Sequence, residues 1–275
     1  MNEIKQKYYP GILQAIHLII LYIFIQTIVD FPLALIDYYK DTEYLYNPIK
    51  KIVLGVGSTL FILIYGFKRS KLSFMEVFPL RFFNPLLLIP VVTFFWGAHN
   101  LLEVSSVIMD KYIPPPPWFW ELFNRIFEGD YGWLGAFMKV VVVAPIVEES
   151  IFRGIILNGF RRNYNSFVAV LMSALLFALF HLNPWQFPAT FILGLLLGWM
   201  VIRTNSIIVA ILGHSINNFL VLLNITFYPQ IHSHAIYLME KEKLYYISGL
   251  LMLVSIILIY LFSSRLRFPI KRKKQ

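Results

Sequence analysis

Stretches of about 20 apolar residues recur from one end of this chain to the other, and that recurrence leaves few folds open. Each stretch is long enough to cross the ~30 Å hydrocarbon layer of a bilayer as a helix. Lipid offers backbone groups no hydrogen-bond partner, so each crossing segment has to bond within itself, and a helical bundle follows. Composition agrees: 58% of the 275 residues are hydrophobic, 14% are charged and the mean hydropathy is +0.67, whereas a soluble domain carries roughly 25% charged residues. So small a polar complement does not cover a water-soluble globule. The expected fold is all-α, one membrane domain over residues 1–275 with about eight spans. They fall near 10–36, 48–67, 84–109, 131–160, 166–182, 187–203, 206–228 and 245–263. The first is too long for a cleavable signal, and no small-residue cleavage site follows it.

The loops orient these spans. Lys5 and Lys7 precede the first, and Asp37, Asp41 and Glu43 sit after it beside Lys40. Lys68, Arg69, Lys71 and Arg81 follow the second, while Asp110, Glu121, Glu128 and Asp130 dominate the loop after the third. Arg161 and Arg162, then Arg203, then a tail of Arg265, Arg267, Lys271, Arg272, Lys273 and Lys274 complete the alternation. With eight spans every basic loop lies on one side, which predicts a multi-pass protein of the cell membrane with both termini cytoplasmic. The net charge of +9 is therefore a topological signal facing membrane lipids, and nucleic acid is not an expected partner. The absence of cysteine excludes disulfides, thiolate catalysis and cysteine zinc sites. Pro114 to Pro117 followed by Trp118, Phe119, Trp120 and Phe123 reads as an interfacial aromatic anchor, and Gly194 with Gly198 reads as a helix-packing pair.

An ionisable group at the bilayer centre costs about 2.5–3.5 kcal/mol on insertion scales, so it normally faces a partner or a cavity. Span four reads A-P-I-V-E-E-S-I-F-R-G, with Glu148, Glu149 and Arg153. Span five ends F-A-L-F-H, with Phe177 and His181, and span seven holds G-H-S-I-N-N-F, with His214, Asn217 and Asn218. Glu149 and Arg153, four apart, can pair on one helix face, leaving Glu148 as the free carboxylate. His214 and Asn218, also four apart, can point two donors at one spot, as an oxyanion site requires. Pro145 should loosen the helix just before the acidic pair. Together these residues supply a base, two imidazoles and an amide, the parts needed to add water to a peptide carbonyl.

The three segments match E-E-x-x-x-R, F-x-x-x-H and H-x-x-x-N in that order, and over roughly 130–225 the chain resembles the CPBP family, the CAAX proteases and bacteriocin-processing enzymes. The resemblance implies an intramembrane endopeptidase acting on a membrane-associated peptide or on the C-terminal region of a protein, prenylated or not. It implies Glu148 as the base that activates water, His181 as its partner, His214 and Asn218 as oxyanion stabilisers, and Glu149 with Arg153 in support. Relatives are commonly called metalloproteases, and Glu148, His181 and His214 could be three ligands of a zinc ion with an open fourth position. No H-E-x-x-H occurs, and the preferred expectation is glutamate-activated water without tightly held metal.

Two rival classes remain at this level. Intramembrane Glu, His and Arg also build proton and ion paths in transporters, although no inverted repeat is visible. A catalytically silent immunity or scaffolding protein would look the same. His99, Asn100 and Glu103 on span three form a second polar cluster, expected to be a self-satisfied pair of His99 with Glu103. His17, Gln26, Asp30, His232 and His234 receive no function.

Overall fold

The computed structural model describes residues 8–119, 121, 132–227 and 242–263. Lys5, Lys7, most of the aromatic loop after Phe119, His232, His234 and the basic tail lie outside the described residues. All eight apolar segments are helical, and no strand occurs among the described residues. In chain order they are α1 (Ile12–Lys40), α2 (Pro48–Ser70), a short α3 (Phe74–Val77), α4 (Leu88–Tyr112), α5 (132–163), α6 (Ser166–Phe180), α7 (Phe187–Thr204), α8 (Ile207–Phe227) and α9 (Glu242–Ser263). Asparagines start two of them: Asn47 Oδ1 accepts from the Lys50 N–H at 3.0 Å and Asn165 Oδ1 from the Val168 N–H at 2.9 Å. Lys71 and Asn205, in the left-handed region at φ 54° and 53°, end α2 and α7.

Five of these segments are long and apolar enough to cross a membrane by length and composition: Ile12–Lys40, Pro85–Tyr112, Phe187–Thr204, Ile207–Phe227 and Glu242–Ser263. The other three depart from an ideal span for identifiable reasons. α2 dilutes its apolar surface with Lys50, Lys51, Gly55, Gly57, Ser58 and Thr59. α6 has 15 residues, about 22 Å of rise, short of the ~30 Å layer. α5 is charged and interrupted: its α-helical turns Gly132–Ala136, Ala144–Glu149 and Leu157–Asn163 are separated by π-helical turns at Phe137–Val143 and Ser150–Ile156.

The basic loops gather at one end of the bundle. Arg162 meets Glu76 at 3.5 Å, Ser206 Oγ donates to the Arg81 carbonyl at 2.5 Å, the Ile207 N–H donates to the Pro79 carbonyl, and Asn163 Nδ2 donates to the Tyr8 carbonyl at 2.7 Å. The start of α1, the α2–α4 connection, the end of α5 and the start of α8 are thus one face. Across the interior, α6 and α7 touch at Gly194, where a Cβ would stand 3.0 Å from Ala174, so the packing role expected of the glycine pair holds there. Gly213 of α8 lies flat against the Phe95 ring of α4. Phe94, Phe95, Phe152, Phe160 and Phe177 fill the core between these helices.

Candidate active site

The shape of α5 begins with Pro145, which has no N–H to give to the carbonyl four or five residues before it. The preceding turns adopt π register, the Ala144 N–H bonding to the Lys139 carbonyl, so the Val140 carbonyl receives neither of its usual helical donors. Asn218 Nδ2 of α8 donates to it at 3.0 Å. In the second π turn the Leu157 N–H bonds to the Phe152 carbonyl, which also receives Ser173 Oγ of α6 at 3.2 Å. π-helical turns of this kind concentrate at functional sites, because they re-aim side chains within a continuous helix. Between them stand Glu148 and Glu149.

The two glutamates have separate environments. Glu149 is fully buried, and its Oε1 accepts both Arg153 Nη1 at 2.9 Å and His214 Nδ1 at 2.9 Å. Arg153, also buried, donates through Nη2 to the Gly194 carbonyl at 3.1 Å and lies over the Phe177 ring at 4.5 Å. The expected Glu149–Arg153 pair is present, and it carries a third member, because the same carboxylate fixes His214. Glu148 sits apart, 18% exposed, with its buried Oε2 accepting no hydrogen bond from any described residue. His181 Nε2 and His214 Nε2 each stand 4.0 Å from that oxygen.

Both imidazoles are held by their far nitrogens. A carbonyl only accepts, so the His181 contact with the Phe177 carbonyl at 2.9 Å makes Nδ1 the donor and turns Nε2 towards Glu148. His214 donates Nδ1–H to Glu149 in the same sense. Phe177 explains its own place four residues before His181. Its carbonyl holds His181, and its ring packs edge-on against His181 at 4.9 Å and His214 at 5.7 Å.

The 4.0 Å gaps decide what fits between these atoms. A water about 2.7–2.8 Å from both a carboxylate oxygen and a ring nitrogen would subtend roughly 93° across such a gap, a workable hydrogen-bond angle. Zinc bonds of about 2.0–2.1 Å in a tetrahedron would bring nitrogen and oxygen to about 3.3 Å. Two imidazoles and a carboxylate are a suitable zinc donor set, but their spacing here matches a hydrogen-bonded water and not direct ligation. Asn218 is less free than spacing suggested. One amide hydrogen serves Val140 and its Oδ1 accepts from Asn217 Nδ2 at 3.3 Å, leaving one hydrogen to donate elsewhere.

Glu148 lines a cavity of about 310 Å³ whose far wall is α1 and α2, with Tyr22, Gln26, Asp30, Thr59 and Lys139 among its lining. Gln26 Nε2 donates to Tyr22 Oη at 3.1 Å, which bonds Thr59 Oγ1 at 2.9 Å. Sequence reasoning assigned α1 no part in the site. The signal was present as Tyr22, Gln26 and Asp30, polar residues four apart on one face of an apolar helix. The His99 cluster reaches beyond its own helix. Both ring nitrogens of His99 engage α8, through Asn217 Oδ1 at 3.3 Å and Asn224 Nδ2 at 3.2 Å, and Asn100 Nδ2 donates to the Trp96 carbonyl at 2.9 Å.

Residues 130–220 match the family model described as type II CAAX prenyl endopeptidase Rce1-like. All three quoted motifs lie inside that segment, so the family resemblance drawn from them stands for this part of the chain. Over 125 residues the chain is 28% identical to an uncharacterized 24.3 kDa protein of Escherichia coli; the match covers 43% of this chain and 57% of that relative. The chain thus spans little more than half the length of that curated relative. No solved structure matches.

Proposed function

We propose that this chain is an intramembrane endopeptidase that hydrolyses a membrane-associated peptide, or the C-terminal region of a protein that is prenylated or not, with Glu148-activated water. The observation that carries this reading is the pair of 4.0 Å gaps between Glu148 Oε2 and the two Nε2 atoms, each ring being locked from behind. A water bonded to Glu148 and His181 gives its proton to the carboxylate as its oxygen adds to the scissile carbonyl carbon. The C–N bond then breaks, and Glu148 returns the proton to the departing amine. His214, with Nδ1–H committed to the Glu149 carboxylate, donates through Nε2 when it enters the step as the imidazolium, keeping that proton throughout, and Asn218 offers its second amide hydrogen to the same developing oxyanion. No metal is assigned a step.

The site is reached from the cytoplasmic side of the membrane. The face built from Arg69, Arg81, Arg161, Arg162 and Arg203 is the inner one by the positive-inside rule. From Ser166 on that face, α6 rises about 22 Å to His181, and α8 rises about 12 Å from Ser206 to His214. Single cysteines at Ser150 and Ser215 in this cysteine-free chain should react with a membrane-impermeant thiol reagent from inside; labelling only from outside would invert the orientation.

Activity is tested with two internally quenched peptides, one carrying a prenylated cysteine four residues from its C-terminus and one its bare twin. Native protein should cut at least one of them, and Glu148→Gln should reduce the rate ~10²–10⁴-fold, the usual contribution of a general base. Equal rates in equal amounts of folded native and variant protein would remove the peptidase reading. Loss of activity on chelation, together with stoichiometric zinc in the active protein, would replace the metal-free route.

A further inference from the structure

Four side chains make a one-way chain of hydrogen bonds into the backbone of α5. Asn224 Nδ2 donates to His99 Nε2 at 3.2 Å, His99 Nδ1 to Asn217 Oδ1 at 3.3 Å, Asn217 Nδ2 to Asn218 Oδ1 at 3.3 Å, and Asn218 Nδ2 to the Val140 carbonyl at 3.0 Å. Every direction is dictated by chemistry. An amide nitrogen only donates and an amide oxygen only accepts, so one neutral tautomer of His99, protonated at Nδ1, satisfies all four contacts. His99 is 8% exposed and Asn217 9%, with Asn218 and Asn224 half-buried, so a broken link at the two middle members leaves a buried group unpaired. It ends on the carbonyl that Pro145 and the π register deprive of a helical donor, two turns before Glu148.

We infer that His99, Asn217 and Asn224 are positioning residues for hydrolysis: through Asn218 they hold the Val140 carbonyl, and with it the π turn that aims Glu148 at its water. This inference rests on the peptidase reading. The chain also orients Asn218, since fixing its Oδ1 and one hydrogen determines where the remaining hydrogen points. A reacting group displaced by 1 Å can lose ~10²-fold in rate, so these residues act on turnover although they do not touch the substrate.

Two pairs of variants test it in the full-length protein. Glutamine at position 99 keeps an amide donor and an oxygen acceptor, whereas leucine keeps bulk only; at Asn217, aspartate keeps the acceptor but removes the donor. His99→Gln should retain kcat on the quenched peptide within ~3-fold, while His99→Leu and Asn217→Asp should lower kcat ~10–100-fold with KM within ~2-fold. A second readout needs no activity. A single cysteine at Ala144, on the cavity wall at the end of that π turn, should alkylate several-fold faster in the His99→Leu and Asn217→Asp backgrounds than in the native or His99→Gln background. Equal kcat in His99→Gln and His99→Leu, or alkylation rates indifferent to all three variants, would overturn the relay. If native protein cuts neither peptide, the peptidase reading fails, and the alkylation series still decides whether the relay holds the π turn.

Discussion

α5 and α9 are both apolar segments of a membrane bundle, yet they solve the backbone problem in opposite ways. α9 is one uninterrupted helix, Glu242–Ser263, with 17% of its most apolar window buried inside the protein. All its carbonyls before the last turn can bond within the helix; neighbours add a Thr93–Ser255 hydroxyl pair at 2.8 Å and Arg203 Nη2 donating at 2.7 Å to the Tyr260 carbonyl of the last turn. α5 changes register twice, and carbonyls its own turns leave short are met by side chains from other helices: Asn218 on Val140 and Ser173 on Phe152. Its residues from 151 to 160 are all buried, so the Ser173 bond to Phe152 forms where lipid and water do not compete, while the Asn218 bond to Val140 is half-buried. The difference teaches that the reactive geometry is not local to α5. It is shared with α6 and α8, the helices that also carry His181 and His214.

Breaking the shared part should do far more than breaking the self-contained part. The largest stability loss is expected from Arg153→Ala, which leaves the buried Glu149 without its cation, held among the described residues by the His214 N–H alone, and removes the cation stacked on Phe177; about 3–5 kcal/mol follows for a broken buried pair, read as reduced folded yield and melting temperature. Leu253→Ala on the exposed face of α9, by contrast, should stay within about 0.5 kcal/mol. A comparable loss at both positions would dissolve the distinction between the two helices.

A double-mutant cycle sharpens it. Pro145→Ala restores an N–H that can reach the Val140 carbonyl in π register, so the asparagine relay becomes partly redundant. His99→Leu should then destabilise less in the Pro145→Ala background than in the native one, with a coupling of about 0.5–3 kcal/mol in thermal unfolding. Additive effects would mean that the relay and the proline do not meet at Val140.

A smaller loss than that of Arg153→Ala is expected at the basic face. Ser73 and Glu76 form a capping box at the start of α3, with the Ser73 N–H donating to Glu76 Oε2 at 3.0 Å and the hydroxyl at 2.8 Å. The Ser73 backbone N–H, then its hydroxyl, hold the Glu76 carboxyl below its usual range. A depressed carboxylate contributes stability above its unfolded value of about 4.3 and loses it as pH falls through the folded one. Ser73→Ala should therefore cost about 0.5–2 kcal/mol near neutral pH, and the difference from native should shrink below pH 4; a gap that stays constant with pH would deny the carboxylate its part.

Much of this was legible in the residues. Apolar length alone placed all eight helices, because backbone satisfaction in lipid permits little else. Four-residue spacing paired Glu149 with Arg153 and set Glu148 apart. Depth and register were harder to read. The span near 166–182 ends as a regular helix at Phe180, and the one near 131–160 is not a single α-helix, since hydropathy registers apolarity and not the hydrogen-bond ladder. His214 on Glu149 and Asn218 on Val140 are contacts between helices, which no spacing within one helix reveals. The α1 wall of the cavity was missed for the same reason, although Tyr22, Gln26 and Asp30 were in view.

The central claim is that Glu148, and not the bundle as a whole, makes this chain a peptidase. It is tested most directly by comparing the membrane peptides of cells carrying the native chain with those of cells carrying Glu148→Gln at the same level of folded protein. The account predicts at least one peptide or protein C-terminus that stays uncut only in the variant. Identical peptide profiles, with both proteins folded and present in the membrane, would contradict it.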